Sequence, residues 1–175
     1  MRNFCGSTAG HKDRCIEVRF NLATALVFNG IDCPEGLAMY RKLAIEGVPD
    51  GQVAVGVTLV EGLGVNEDLK EGVGWLKEAS ARGNPQGQYE LGTLYYTGNA
   101  EPFIPESNEK AFELFEKAAE QGHMCGMYMC ADMLIEGLGV EQDKARAVNL
   151  LYEAGERGHR TARYTLLAML DKNKK

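Results

Sequence analysis

VEGLGVNEDLKEGVGWLKEASARGN, residues 60–84, is written again as IEGLGVEQDKARAVNLLYEAGERGH, residues 135–159. The second copy begins 75 residues after the first (135 − 60), and a third, less obvious copy lies between them. Self-similarity at this spacing marks a stack of helix pairs rather than a domain with one closed core. Glycines give the period. Gly47, Gly83, Gly122 and Gly158 each follow an apolar helical segment, at intervals of 36, 39 and 36 residues. Gly30, Gly62, Gly98 and Gly137 form a second series, at intervals of 32, 36 and 39. Glycine takes the left-handed backbone at a helix end without a Cβ penalty, so two series predict two helix ends per repeat.

The two helices have different signatures. The first, called A, reads GQVAVGVTLVEG (51–62), GQYELGTLYYTG (87–98) and GMYMCADMLIEG (126–137). Gly56, Gly92 and Ala131 fall at the same place in the three copies, which predicts close approach of a neighbouring helix there. An interior glycine costs a helix about 1 kcal/mol relative to alanine, so the position reads as a packing constraint. The second helix, B, carries an apolar stripe of period 3.6: Val73, Trp75, Leu76 and Ala79, then Phe112, Leu114, Phe115, Ala118 and Ala119, then Val148, Leu150, Leu151 and Ala154. Asp68, Ser107 and Asp143 stand before it as N-caps for the open amides of its first turn. In the middle copy the A–B connection is three residues longer and reads NAEPFIPES (99–107), whose two prolines argue against helix.

Reading outward, an N-terminal copy places helix A over 15–29, a turn at Asp32-Cys33-Pro34 and helix B over 35–46. At the other end, 161–170 is one more A-type helix, with Leu167 where glycine or alanine is expected. The expectation is an all-α chain of about four helix–turn–helix repeats plus a C-terminal capping helix. Residues 1–13 are expected to form a flexible lead, extended or disordered, 14–170 the repeats and 171–175 a polar tail.

The chain has 175 residues, 45% of them hydrophobic, and a formal net charge of −6. An acidic balance argues against nucleic acid as a general partner, because phosphate binding needs a basic stripe. The one basic cluster, Lys144, Arg146, Arg157, Arg160 and Arg163, reads as a solvated helix face and a complement to helix C-termini. No apolar run approaches the roughly 18 residues of a membrane span. The start, MRNFCGSTAGHKDRC, has no apolar core of a secretory signal. Five cysteines, Cys5, Cys15, Cys33, Cys125 and Cys130, make an odd count, and free buried thiols in a reducing compartment are the expectation. That compartment is the cytoplasm, or an organelle if the N-terminus is processed. A bridge from Cys15 to Cys33 across the first helix pair is the alternative.

Chemistry-bearing patterns are few. His123, Cys125 and Cys130 come nearest to a metal or thiol centre, but their spacing does not put three ligands on one helical face. His123 also aligns with Asn84 and His159, just after the glycine that ends helix B, which makes it a turn residue of the repeat. GLGV at 62–65 and 137–140 follows a helix rather than a strand and recurs, so it reads as a turn and not as a phosphate cradle. Glu67 and Asp68 sit at a helix start, where capping explains them. No nucleophile stands beside a base with an orienting third group, so neither catalytic, metal nor cofactor residues are assigned.

On the strings GQYELGTLYYTG and FEKAAEQGH, and on the loop GLGV ahead of an aspartate, the chain resembles the Sel1-like repeat family, a relative of the tetratricopeptide fold. The resemblance covers about Arg14 to Leu170 and is densest in the three copies after Asp50. Departures are the lack of an aromatic after Gly56, Asp132 in the third copy and the short first loop. The resemblance implies a right-handed α-solenoid with an inner face lined mainly by A helices, and an adaptor or scaffold role. Cysteine-rich members of the family tie helix A to helix B with regularly spaced pairs, a pattern that these cysteines do not follow.

With A helices inward, the residues one turn away from the core positions face a partner. They are Ala54, Val57 and Glu61, then Glu90, Thr93, Tyr96 and Thr97, then Met129, Asp132 and Glu136. Aromatic and apolar side chains beside carboxylates suit a peptide groove, yet the same spacing serves packing between repeats. Phe103 and Ile104 on the irregular loop either dock on a partner or tuck under the neighbouring helix pair. The leading expectation is a non-catalytic adaptor or scaffold that binds a protein or an extended peptide through its concave face. A structural subunit or assembly factor of a larger complex, in an organelle for instance, is the alternative. A thiol- or metal-dependent activity through Cys125, Cys130 and His123 is a third.

Overall fold

The computed structural model describes residues 9–172 and, within them, the side chains of residues 13–171. Among the described residues every regular element is an α-helix: α1 (Ala9–Phe28), α2 (Cys33–Ile45), α3 (Pro49–Val60), α4 (Leu69–Ala81), α5 (Pro85–Thr97), α6 (Asn108–Glu120), α7 (Met124–Glu136), α8 (Lys144–Glu156) and α9 (Arg160–Lys172). They fall into two compact units, one up to Trp75 and the other from Leu76 onward.

Each helix stops and restarts by the chemistry read from the glycines. At the end of α6 the Gly122 amide donates to the Ala119 carbonyl and the His123 amide to that of Ala118; Gly158 and His159 repeat this at the end of α8. The paired bonds satisfy carbonyls that a helix end would leave open. All eight glycines of the two series have positive φ, as do Gly64 and Gly139 inside the GLGV turns. The B helices start as expected: Asp68, Ser107 and Asp143 accept the amides of Glu71, Lys110 and Arg146.

In the first unit α1 packs on α2 and α2 on α3. Its core holds Val27, Leu37, Tyr40, Val55 and Leu59, with the Phe20 and Tyr40 rings 5.4 Å apart. The Tyr40 hydroxyl donates to Thr24 Oγ1 at 2.8 Å, so its polar tip is satisfied although the ring is buried. In the second unit α5, α6, α7, α8 and α9 pack successively. Phe115, Met133, Leu134 and Leu151 form the centre of its core, fully buried or nearly so. Burial of each such side chain stabilises by about 1.5–3 kcal/mol. The small position behaves as predicted, since a Cβ on Gly92 would stand 2.9 Å from Phe115 Cε1.

Two local expectations need correction. Helix α1 begins at Ala9, so residues 9–13 are helical and not part of an extended lead. The Gly, Ser and Thr content behind that expectation ends at Gly10, and Lys12 and Arg14 beyond it are good helix formers. Residues 1–8, with Cys5, and residues 173–175 of the polar tail lie outside the described residues. Arg146 is more than a solvated charge, because it pairs with Glu116 and covers the Phe112 ring. The cysteines follow the leading expectation: Cys15, Cys33, Cys125 and Cys130 are free thiols, and the alternative bridge from Cys15 to Cys33 is not formed.

Candidate functional site

Helices α5 and α7 present the same register of partly exposed positions. On α5 these are Gln86, Glu90, Thr93 and Thr97; 39 residues on, α7 has Cys125, Met129, Asp132 and Glu136. The spacing of three and four residues puts each set on one face. Thr97 and Glu136 are exposed, and the other six are half-buried. Glu90 accepts a hydrogen bond from the Gln86 amide at 2.5 Å. Burial, and then the charge of Glu136, raises the Asp132 carboxyl above its ordinary pKa.

The remaining predicted residues divide by burial. Tyr96 is half-buried and meets the Phe115 ring edge-on at 6.5 Å, so it serves core packing while keeping one side at the surface. Phe103 is 42% exposed on its loop, whereas Ile104 is fully buried. Ile104 therefore leaves the candidate surface: it holds the irregular loop down, its amide bonded to the Ala100 carbonyl at 2.9 Å. In the first unit Val57 of α3 is half-buried and Glu61, the residue that caps the end of α3, is exposed. Gln86 was missed by the sequence reading, and Cys125 was read there as a metal or thiol candidate rather than as a stripe position; the 39-residue offset that pairs Glu90 with Met129 also pairs these two.

His123 is a capping residue. Its Nδ1 accepts the Gly126 amide at 3.1 Å, and its Nε2 faces Gln86 Oε1 at 2.8 Å. Both contacts are met by the tautomer with the proton on Nε2. The ring lies 5.0 Å from that of Tyr89, and burial lowers its pKa. His159 repeats the arrangement: Nδ1 accepts the Ala162 amide at 3.1 Å, the ring stacks on Tyr128 at 4.8 Å, and its pKa is lowered by burial too. Asn84 does the same work at the start of α5, accepting the Gly87 amide at 2.8 Å.

These geometries weigh against the thiol or metal reading. Both ring nitrogens of His123 are engaged. Burial above all pushes the Cys130 thiol up to about 12, which leaves little thiolate at neutral pH. Burial, then the charge of Glu90, raises Cys125 as well. Among the described residues no group of three His, Cys, Asp or Glu side chains is placed to hold a metal ion. The GLGV turns are filled by their own chain: a Cβ on Gly64 would meet Cys33 Sγ at 2.2 Å, and one on Gly139 the Asn108 carbonyl carbon at 2.3 Å. Among the described residues no helix is long and apolar enough to cross a membrane.

The Sel1 repeat model matches residues 49–84, 85–123 and 126–159, more than half of the chain. This chain belongs to the Sel1 repeat family. Repeats of this family generally mediate protein–protein interaction, and the fold class is the all-α repeat solenoid. The chain is similar to the chitin synthase regulator SKT5 of Saccharomyces cerevisiae, 39% identical over 98 residues, 56% of this chain and 14% of that protein. It is similar to an uncharacterized protein of Neisseria meningitidis serogroup B, 33% identical over 152 residues, 87% of this chain and 30% of that one. It thus spans less than a third of the length of either relative. Among solved structures, a Sel1 repeat protein from Oxalobacter formigenes superposes with a TM-score of 0.76 at 25% identity, covering 86% of this chain and 60% of that one. The cysteine rich protein B of Helicobacter pylori shares the fold, with a TM-score of 0.62 at 18% identity over 74% of this chain and 94% of that one.

Proposed function

We propose that this Sel1-repeat chain is a non-catalytic adaptor that docks another protein, or an extended peptide, on the partly exposed stripe of its A helices. The observation that carries this reading is the matched row Glu90, Thr93 and Thr97 on α5 and Met129, Asp132 and Glu136 on α7, half-buried to exposed and of mixed polarity. Side chains of this kind offer fixed, partly desolvated contacts, and Tyr96 adds an aromatic anchor beside them. Free thiols with raised pKa at Cys125 and Cys130 favour a reducing compartment over a role in redox chemistry. The test is affinity capture from the native source with the wild type and with the variants Tyr96→Ala and Asp132→Ala. Loss of the same captured protein in both supports the stripe as the docking face. Unchanged recovery in both rules it out.

A second reading, a fixed subunit of a larger complex, is favoured by the apolar residues left exposed on the terminal helices: Val18 and Leu22 on α1, Tyr164, Leu167 and Leu170 on α9. Size exclusion of the purified chain separates the two. A soluble monomer supports the adaptor, and aggregation relieved only by co-expression of a partner supports the subunit.

A further inference from the structure

Helix α9 is an A-type helix with one flank uncovered. Aligned on the repeat, its Arg163, Leu166, Leu167 and Leu170 take the places of Met127, Cys130, Ala131 and Leu134 on α7. On α7 all four are buried. On α9 Leu166 is half-buried and the other three are exposed. The small position shows what differs. On α5 it is Gly92, which lies against Leu114 and Phe115 of the helix that follows, α6. On α9 it is Leu167, 59% exposed. Tyr152 of α8 borders the same side. It matches Glu116 of α6, whose side chain reaches Arg146 in the first turn of the next B helix, and it too is exposed. A B helix packed here as α6 packs on α5 would strike the Leu167 side chain, since a Cβ alone on Gly92 would already stand 2.9 Å from Phe115.

The exposed residues of this flank are symmetric about Leu167. Tyr164 and Leu170 stand three residues to either side of it, and Arg163 and Asp171 four. Offsets of three and four share one helical face. In an antiparallel pair of α9 helices centred on Leu167, each residue meets its counterpart from the other side of the centre, and the two-fold axis repeats every contact. Leu167 then meets Leu167, Tyr164 meets Leu170, and Arg163 meets Asp171. A parallel pair would instead set Arg163 against Arg163 and Asp171 against Asp171. We infer that a second copy of this chain covers the flank of α9, in an antiparallel two-fold contact centred on Leu167. The apolar residues supply the attraction, and the two charge pairs fix the direction. This contact is separate from the docking stripe, whose register on α9 is Thr161, Thr165 and Ala168, turned away from Leu167.

The test is sedimentation velocity of the full chain from about 1 to about 200 µM. One helix from each copy makes a small interface, so a dissociation constant of about 10–100 µM is expected, with the mass approaching twice that of the monomer at the upper end. L167D, at an exposed position, should fold as the wild type by circular dichroism and stay monomeric throughout. R163E and D171R should each dimerise about ten-fold more weakly, because each sets like charges together at both ends of the contact. An equimolar mixture of R163E and D171R should recover the dimer, since opposite charges then meet at both ends. A wild type that stays monomeric at about 200 µM, whatever other protein it binds, overturns the inference. So does a dimer that all three variants leave intact, a mixture that fails to associate, or assembly that continues beyond two copies.

Discussion

Replacing His123 tests the repeat junction at one atom. Its Nδ1 holds the Gly126 amide, its Nε2 bonds Gln86, and its ring lies against Tyr89. Alanine removes a helix cap worth about 1 kcal/mol and a side-chain hydrogen bond worth about 1 kcal/mol. His123→Ala should therefore cost about 2 kcal/mol. His123→Asn keeps the cap in the form used by Asn84 and should cost about half as much. In urea unfolding followed by far-ultraviolet circular dichroism, 2 kcal/mol moves the midpoint down by about 1 M for a slope of about 2 kcal/mol/M. The pH dependence has a definite sign. Burial depresses the folded pKa below 6.5, so the unfolded chain binds the proton more readily. The stabilisation is complete above pH 6.5 and is lost as pH falls through the depressed folded value. His159, depressed for the same reason, acts in the same direction at α9. Wild type should lose stability between pH 7 and pH 5, and the double variant H123N/H159N should lose much less. A wild-type midpoint in H123A, or a wild-type pH slope in the double variant, would refute the capping account.

Arg146→Glu should lower stability by about 1 kcal/mol, since the partners are 45% and 33% exposed, and adding Glu116→Arg should restore most of it, measured by a double-mutant cycle. Gly139→Ala should cost about 2–4 kcal/mol, because φ is +67° and the new Cβ would strike the Asn108 backbone at 2.3 Å. Gly74→Ala, a helical position with nothing within 4 Å, should instead stabilise by about 0.5–1 kcal/mol, both read from thermal or urea unfolding. Aromatic disulfide titration at pH 8 should leave Cys130 unmodified until urea unfolds the chain, as its thiol sits at about 12.

The restored pair in that second prediction follows from an exchange which the sequence hides. Arg41 on α2 pairs with Glu71 on α4, and Glu116 on α6 pairs with Arg146 on α8, each pair 30 residues apart with polarity reversed. A reader looking for conserved charge type along the repeats sees no pattern, because the positions recur while the signs do not. Glycines were legible for the opposite reason: a left-handed helix end favours glycine, so Gly47, Gly83, Gly122 and Gly158 recur at the same place in each repeat. The N-caps Asp68, Ser107 and Asp143 were legible likewise, since few side chains reach a first-turn amide. Ile104 was ambiguous because a loop has no periodicity to tell buried from exposed. Tyr96 was ambiguous because it does both, touching Phe115 and leaving one side open. The register of Glu90 with Met129, and of Thr93 with Asp132, could be read from the sequence; their partial exposure could not, as the helical spacing alone fits core and surface equally.

Hydrogen exchange of the full chain, alone and with its captured protein partner bound, addresses the docking face without any substitution. Binding should slow exchange over 86–97 and 125–136, with 108–120 and 144–156 unchanged. Protection confined to 108–120 and 144–156, or to the terminal helices, would contradict the assignment of the partner to the A-helix stripe.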